Sequence, residues 1–345
     1  MKIKFYIFSL LCFAIVAFRS ADDALLIVPS NFPKPVYEFS KNPLSENKIQ
    51  LGRALFYDPI LSRNNMISCA SCHSQFSAFT HVDHALSHGI EDKIGFRNSP
   101  AIMNLAWQRT FMRDGAVNHL DVQALSPISN PVEMDMNISQ VVSRLQGSKL
   151  YPKLFYKAFG DSIVTGEHTL KAISQFMLTL VSCNSKYDSV MRKQSVFSEQ
   201  ENNGYKLFRK NCSSCHTEPL FTNDDFRNNG LTVDTTLKDY GRYRVTNNPS
   251  DSLLFKVPTL RNIEFSYPYM HDGRFKKLSQ VLNHYTDGIE KTKTLSSELQ
   301  NSIQLTSNEK IDIVAFLLTL SDKSFLFNPN YFYPKEKVSR AAKDY

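Results

Sequence analysis

Apolar residues recur at helical spacing in four segments of the chain, and the four fall into two matched pairs. The stretches "LSENKIQLGRALF" and "SEQENNGYKLF" each hold a serine, Ser45 and Ser198, followed by polar residues and then an apolar stripe. A serine hydroxyl that can accept from a backbone amide of the first turn is a helix N-cap, so both read as capped amphipathic helices. A second apolar helix lies downstream of each, "LKAISQFMLTLVS" and "EKIDIVAFLLTLSD", with "QFMLTL" matching "AFLLTL". The chain between them is rich in Asn, Gly and Asp and carries Pro127, Pro131, Pro249, Pro258 and Pro268, which marks long loops. Strand signals are short and few. The pattern predicts a mostly α protein built from a duplicated unit, with the boundary between Tyr187 and Ser198.

The first 23 residues, "MKIKFYIFSLLCFAIVAFRSADD", follow another pattern: Lys2 and Lys4, an apolar run from Phe5 to Phe18, then small and acidic residues. This reads as a signal peptide cleaved near Ser20 or Ala21. The run is shorter than the roughly 20 apolar residues of a membrane span, so no stable span is expected. Export would place the mature chain in the periplasm, an oxidising space. The domains expected are residues 1–21 as leader, 22–190 and 191–325 as the two units, and 326–345 as a C-terminal tail.

Composition agrees with a folded core, since 42% of the 345 residues are hydrophobic and 12% aromatic. The formal charge of +7 is modest and lies partly in the leader and in the tail "YPKEKVSRAAKDY". No Arg/Lys cluster with interleaved aromatics is present, which argues against a nucleic-acid partner.

Six cysteines are present, and four of them form two Cys-x-x-Cys pairs, each followed at once by His: Cys69, Cys72 and His73, then Cys212, Cys215 and His216. Cys12 leaves with the leader, and Cys183, at the end of an apolar helix, reads as a buried thiol. A structural zinc site would bring the pairs within roughly 15–20 residues or add a His-x-x-x-His, and a thioredoxin-like pair does not ask for the following His. Covalent c-type haem asks for all three residues: the thiols add to the haem vinyl groups, and the adjacent His is carried under the iron as axial ligand. The sequence therefore predicts two c-type haems, one per cytochrome c-like unit.

Beyond the haem motifs, the stretches "LGRALFYDPILS", "RNSPAIMN", "DGAVNHLDVQALSPISNPVEM", "VPTLRNIEFSYPYMHDGRF" and "LSQVLNHY" resemble, in order, the bacterial dihaem cytochrome c peroxidases and their MauG-like relatives. The resemblance runs from about Asn42 to Asp322. It implies that the first haem reacts with hydrogen peroxide and that the second takes electrons from a small donor, a cytochrome c or a cupredoxin. It places Glu133 as acid/base and Gln123 beside it over the first haem, and offers His88, in a loop that also carries His81 and His84, as a displaceable sixth ligand. It further implies calcium between the units, held by the Asn98 side chain and the carbonyls of Ser266 and Pro268. Oxygen-only ligation of that kind suits a hard cation. A homodimer is implied by the resemblance alone.

Two departures qualify the resemblance. The ordinary peroxidases supply Met as second ligand of the electron-transfer haem, where the matching residue here is Tyr285; Met270 competes for the place as the only Met after His216. An anionic phenolate lowers the haem potential, and this substitution marks the MauG-like branch. Many relatives also carry Trp just before the "DG" of "FMRDGA", where this chain has Arg113, and its single Trp is Trp107. Three readings stay open: a peroxidase fed by a small donor, a MauG-like oxidase that uses high-valent haem iron to modify a protein, and a non-enzymatic dihaem electron carrier.

Overall fold

The computed structural model describes residues 25–81 and 83–334. The expected signal peptide lies outside the described residues, as does most of the expected tail. The fold is mostly α. Helices α1 (Glu46–Tyr57), α2 (Cys69–Cys72), α3 (Leu120–Gln123), α4 (Leu125–Ser129), α5 (Ile138–Gly147), α6 (Tyr151–Phe159) and α7 (Gly166–Leu178) form the first half. In the second half come α8 (Lys186–Met191), α9 (Glu199–Asn211), α10 (Tyr243–Thr246), α11 (Leu278–Asp287), α12 (Ser307–Leu318) and α13 (Lys323–Leu326). The strands among the described residues, β1 (Phe226–Arg227) and β2 (Phe255–Lys256), pair antiparallel.

The expected caps are present: Ser45 accepts from the Lys48 amide at the start of α1, and Ser198 accepts from the Glu201 amide at the start of α9. Both halves are built on one helix crossing, α1 on α7 and α9 on α12. Each crossing is made close by a glycine. A Cβ on Gly52 would lie 1.8 Å from the Ala172 carbonyl oxygen, and one on Gly204 would lie 1.9 Å from that of Asp312. Four residues on, Phe56 meets Phe176 edge-on at 5.2 Å, and Phe208 meets Phe316 at 5.0 Å. The repeat "LGRALF"/"NGYKLF" therefore encodes a backbone-to-backbone contact followed by an aromatic lock. Gly52→Ala and Gly204→Ala should each force the helices apart and cost about 1–3 kcal/mol or more by overpacking, read as a lower denaturation midpoint of the corresponding half.

Two hydrophobic cores result. The first runs from Leu26 to Cys183, and the second begins at Tyr187 and ends at Leu320. The chain then returns: Phe325, Leu326 and Tyr331 are buried in the first core, and Gln75 reaches the Asn328 carbonyl at 2.9 Å. Leu326 and Tyr331 fall in the stretch that the sequence reading assigns to a tail. Arg97 ties the halves together, bridging Asp114 at 2.6 Å and Asp239 at 2.6 and 2.8 Å.

Candidate functional site

The one-turn helix α2 sets Cys69 and Cys72 three residues apart, on one face, with His73 closing it. All three line a cavity of about 50 Å³ whose apolar wall includes Phe56, Ile102, Ile173 and Met177. They lie deep in the protein yet keep accessible surface, which faces the cavity. Burial pushes the Cys69 thiol up to about 12 and the Cys72 thiol to about 11, so both are neutral thiols in a mostly apolar chamber, and both are free. Burial pulls His73 down to about 4, and its Nδ1 sits 2.8 Å from the Phe79 carbonyl. Donation from Nδ1–H to that carbonyl fixes the tautomer and leaves the Nε2 lone pair free for a metal. These residues fit a covalently attached haem.

Glu133 and Gln123, distant in sequence from α2, line the same cavity. Burial raises the Glu133 pKa above the usual 4.5, while a hydrogen bond from Asn130 Nδ2 to Oε1 at 2.6 Å pulls the other way. The Glu133 backbone is clamped from the far side, with the Ile90 amide donating to its carbonyl at 2.8 Å. Gly89 makes that approach feasible, since a Cβ there would lie 2.1 Å from the Val132 carbonyl oxygen. Gln123, the last residue of α3, points its amide at Met112 Sδ, 3.5 Å away. Asn130 is a site residue that sequence reasoning missed; its signal was the local Asn-x-x-Glu spacing in "SNPVEM".

The His88 side chain is not among the residues lining the cavity. Its Nδ1 pairs with Asp92 at 2.7 Å, and its ring stacks on His84 at 4.1 Å. The contact from this residue toward the site is its backbone carbonyl, which accepts from Cys72 Sγ at 3.3 Å. His81 completes the cluster, with its ring 5.3 Å from that of His84.

In the second half, α9 delivers Cys212, Cys215 and His216. Burial raises Cys212 to about 12 and lowers His216, whose Nδ1 lies 3.2 and 3.1 Å from the Phe221 and Pro258 carbonyls. Tyr285 on α11 lies near both cysteines, and burial raises its phenol to about 12. The Asn229 side chain lies close to both rival ligands: it opposes the burial that raises the Tyr285 phenol, and its Nδ2 donates to Met270 Sδ at 3.5 Å. Its carbonyl also holds His284 Nε2 at 3.0 Å.

Of the residues implied for calcium, Asn98 is buried, Ser266 half-buried and Pro268 buried after a cis peptide bond. The Asn98 side-chain oxygen is already engaged: Arg113 Nη2 donates to it at 2.9 Å, and Arg113 Nε donates to the Asn98 carbonyl at 2.9 Å. Burial pulls Arg113 down to about 10, so it remains a cation at neutral pH. Trp107 packs edge-on against Phe32 in the first core and donates to the Pro33 carbonyl at 2.7 Å.

Duplicated helix crossings, each presenting Cys-x-x-Cys-His to the interior, define a c-type haemoprotein with two haem positions. The di-haem cytochrome c peroxidase family model matches residues 46–196, and the cytochrome c model matches residues 201–321. The chain belongs to the family of dihaem cytochrome c peroxidases and MauG proteins, which implies two c-type haems. It is 36% identical over 302 residues to the methylamine utilization protein MauG of Methylorubrum extorquens, covering 85% of this chain and 82% of that one. It is 33% identical to the cytochrome c551 peroxidase of Nitrosomonas europaea, covering 81% of each. A solved MauG-like protein associated with microbial copper homeostasis superposes with a TM-score of 0.82 at 31% identity, covering 89% of this chain and 98% of that one. Among the described residues, no helix is long and apolar enough to cross a membrane.

Proposed function

We propose that this chain is an exported, periplasmic dihaem peroxidase that reduces hydrogen peroxide to water with electrons from a small cytochrome c or cupredoxin. The observation that carries this reading is the shared cavity: Glu133 and Gln123 wall the same space as Cys69, Cys72 and His73. When bound, the haem supplies an iron on which a peroxide O–O bond is broken. The chain does the rest. Cys69 and Cys72 would hold the macrocycle, and His73 would offer its Nε2 to the iron. Glu133, steered by Asn130, takes the proton from the near peroxide oxygen and returns it to the far one, which leaves as water. The Gln123 amide can donate to the peroxide and hold it in line. Phe56, Ile102, Ile173 and Met177 exclude bulk water from this exchange. Cys212, Cys215 and His216 would hold the second haem, which would supply the electron-relay chemistry.

A second reading, MauG-like oxidation of a protein substrate, is favoured by one observation: Tyr285 stands beside Cys212 and Cys215, with the Asn229 side chain near enough to favour its phenolate. A phenolate ligand lowers the potential of the second haem and suits it to holding oxidising equivalents. Tyr285→Met should then raise that potential in a redox titration followed by absorbance; an unchanged potential excludes Tyr285 as a ligand. The two readings separate when the protein is mixed with peroxide in the presence and absence of a reduced donor cytochrome. Rapid turnover that consumes the donor supports the peroxidase. A long-lived oxidised state indifferent to the donor would sink it, and two peroxide-inert, low-spin haems in EPR would leave only electron carriage.

A further inference from the structure

We propose that the Arg113 guanidinium occupies the place between the two halves where the family resemblance implies calcium, and that this chain is calcium-independent because its cation is built in. The argument begins at Asn98, whose polar groups all have protein partners. Its amide donates to the His271 carbonyl of the second half at 2.7 Å, its Nδ2 to the Ala85 carbonyl at 3.1 Å, and its carbonyl and Oδ1 both accept from Arg113 at 2.9 Å. Arg113 Nη2 also approaches the Ser99 carbonyl at 3.5 Å.

A calcium ion bound to Asn98 Oδ1 would share that oxygen with a fixed positive charge. Repulsion between two cations on one ligand atom, in a buried setting of low polarisability, disfavours the pair. Nor are spare carboxylates at hand to offset it. The acidic residues of this region are Asp114 and Asp239, both claimed by Arg97, and Asp272, claimed by Arg274 at 2.8 Å. The oxygens that Arg113 does reach, the Asn98 amide oxygen and the Asn98 and Ser99 carbonyls, are neutral acceptors that the fixed N–H donors of a planar guanidinium satisfy as a cation would.

The replacement bears on the first haem position. Residues 98–100 run from the Arg113 contacts to Pro100, whose carbonyl lies close enough to His73 to favour its protonated form. Arg113 is thus a positioning residue: it holds the strand of chain that braces the proximal imidazole, and through the Asn98 amide it holds that strand to the second half.

The test is made on the dihaem holoprotein by elemental analysis and by thermal unfolding with EGTA or with excess calcium chloride. Because neither readout uses peroxide, the outcome stands apart from the function proposed above. The wild-type protein should contain no stoichiometric calcium, and neither reagent should move its Tm or its haem absorbance. Arg113→Ala, which frees the Asn98 oxygens, should bind calcium and show a Tm that rises with calcium concentration. Arg113→Lys, which keeps the charge, should stay indifferent. One calcium per wild-type chain, removable by EGTA with loss of stability, overturns the proposal even where the variants fail to fold. A folded Arg113→Ala protein that ignores calcium overturns it as well, and so does calcium uptake by Arg113→Lys.

Discussion

Replacing Glu133 by Gln is expected to slow the reaction with peroxide by about 10²–10⁴-fold, the usual worth of a positioned acid/base, with both haems still attached. The substitution keeps the size of the side chain and its contact with Asn130, and it removes the lone pair that accepts the proton. The pH profile should change with it. Only the carboxylate form can accept, so the wild-type rate holds above the Glu133 pKa and falls as pH drops through it. Burial sets that pKa above the ordinary 4.5, which places the acid limb higher than an unperturbed glutamate would. Glu133→Gln should flatten the limb. Asn130→Ala removes the hydrogen bond that opposes burial, so it should move the limb to still higher pH. Stopped-flow absorbance with peroxide between about pH 4 and 8 checks all three, and an acid limb that survives in Glu133→Gln would assign the proton transfer elsewhere.

Asp188→Ala is expected to be among the most destabilising single changes, at about 3–5 kcal/mol. Asp188 and Arg261 are both 0% exposed and joined by two hydrogen bonds of 2.9 and 2.8 Å. Removing the carboxylate leaves a guanidinium buried and uncompensated. At about 2–4 °C per kcal/mol for a chain somewhat smaller than this one, the loss should be plain in calorimetry. Arg261 also donates to the Pro219 carbonyl at 2.9 Å, on the turn whose Phe221 carbonyl faces His216 Nδ1, so the second haem's spectrum should broaden before the first is disturbed. Acid should act on the same pair. Burial alone would raise the Asp188 pKa, but the hydrogen bonds and charge of Arg261 outweigh it and leave it below 3.8. A depressed carboxylate contributes stability above its unfolded pKa that is lost as pH falls through the folded one, so this contribution is complete at neutral pH, begins to fall near about pH 4 and is gone only below the depressed folded pKa. Replacing both partners with apolar residues of similar volume should recover much of the loss.

Much of the fold was legible because it is written locally. The serine caps of α1 and α9 need only the first turn of each helix, and the apolar stripes need only the 3.6-residue period. The glycines were visible too, but their meaning was not: nothing in "LGRALF" says that Gly52 meets the Ala172 carbonyl, a contact 120 residues away in the chain. The candidate site divides in the same way. Cys69, Cys72 and His73 announce themselves by spacing, since one turn of helix puts them together. Glu133 and Gln123 were indicated by resemblance, and only the folded chain sets them on the wall of the cavity that α2 enters. His88 shows the converse, because its loop position left open a side chain that Asp92 and His84 engage in the fold.

By itself, then, the sequence determined the elements and the covalent chemistry: a duplicated, mostly α chain with two haem attachment motifs, each specified by residues within a turn or two of one another. Only the tertiary structure decided which polar groups meet. It placed Asn130 on Glu133, Arg113 on Asn98, Asp188 on Arg261, and the returning Phe325, Leu326 and Tyr331 in the first core. The physical reason is one of range. Caps, periodicity and motif spacing are satisfied by near neighbours, whereas most buried polar groups and aromatic edges here take their partners from any part of the chain that packing brings within a hydrogen bond's reach.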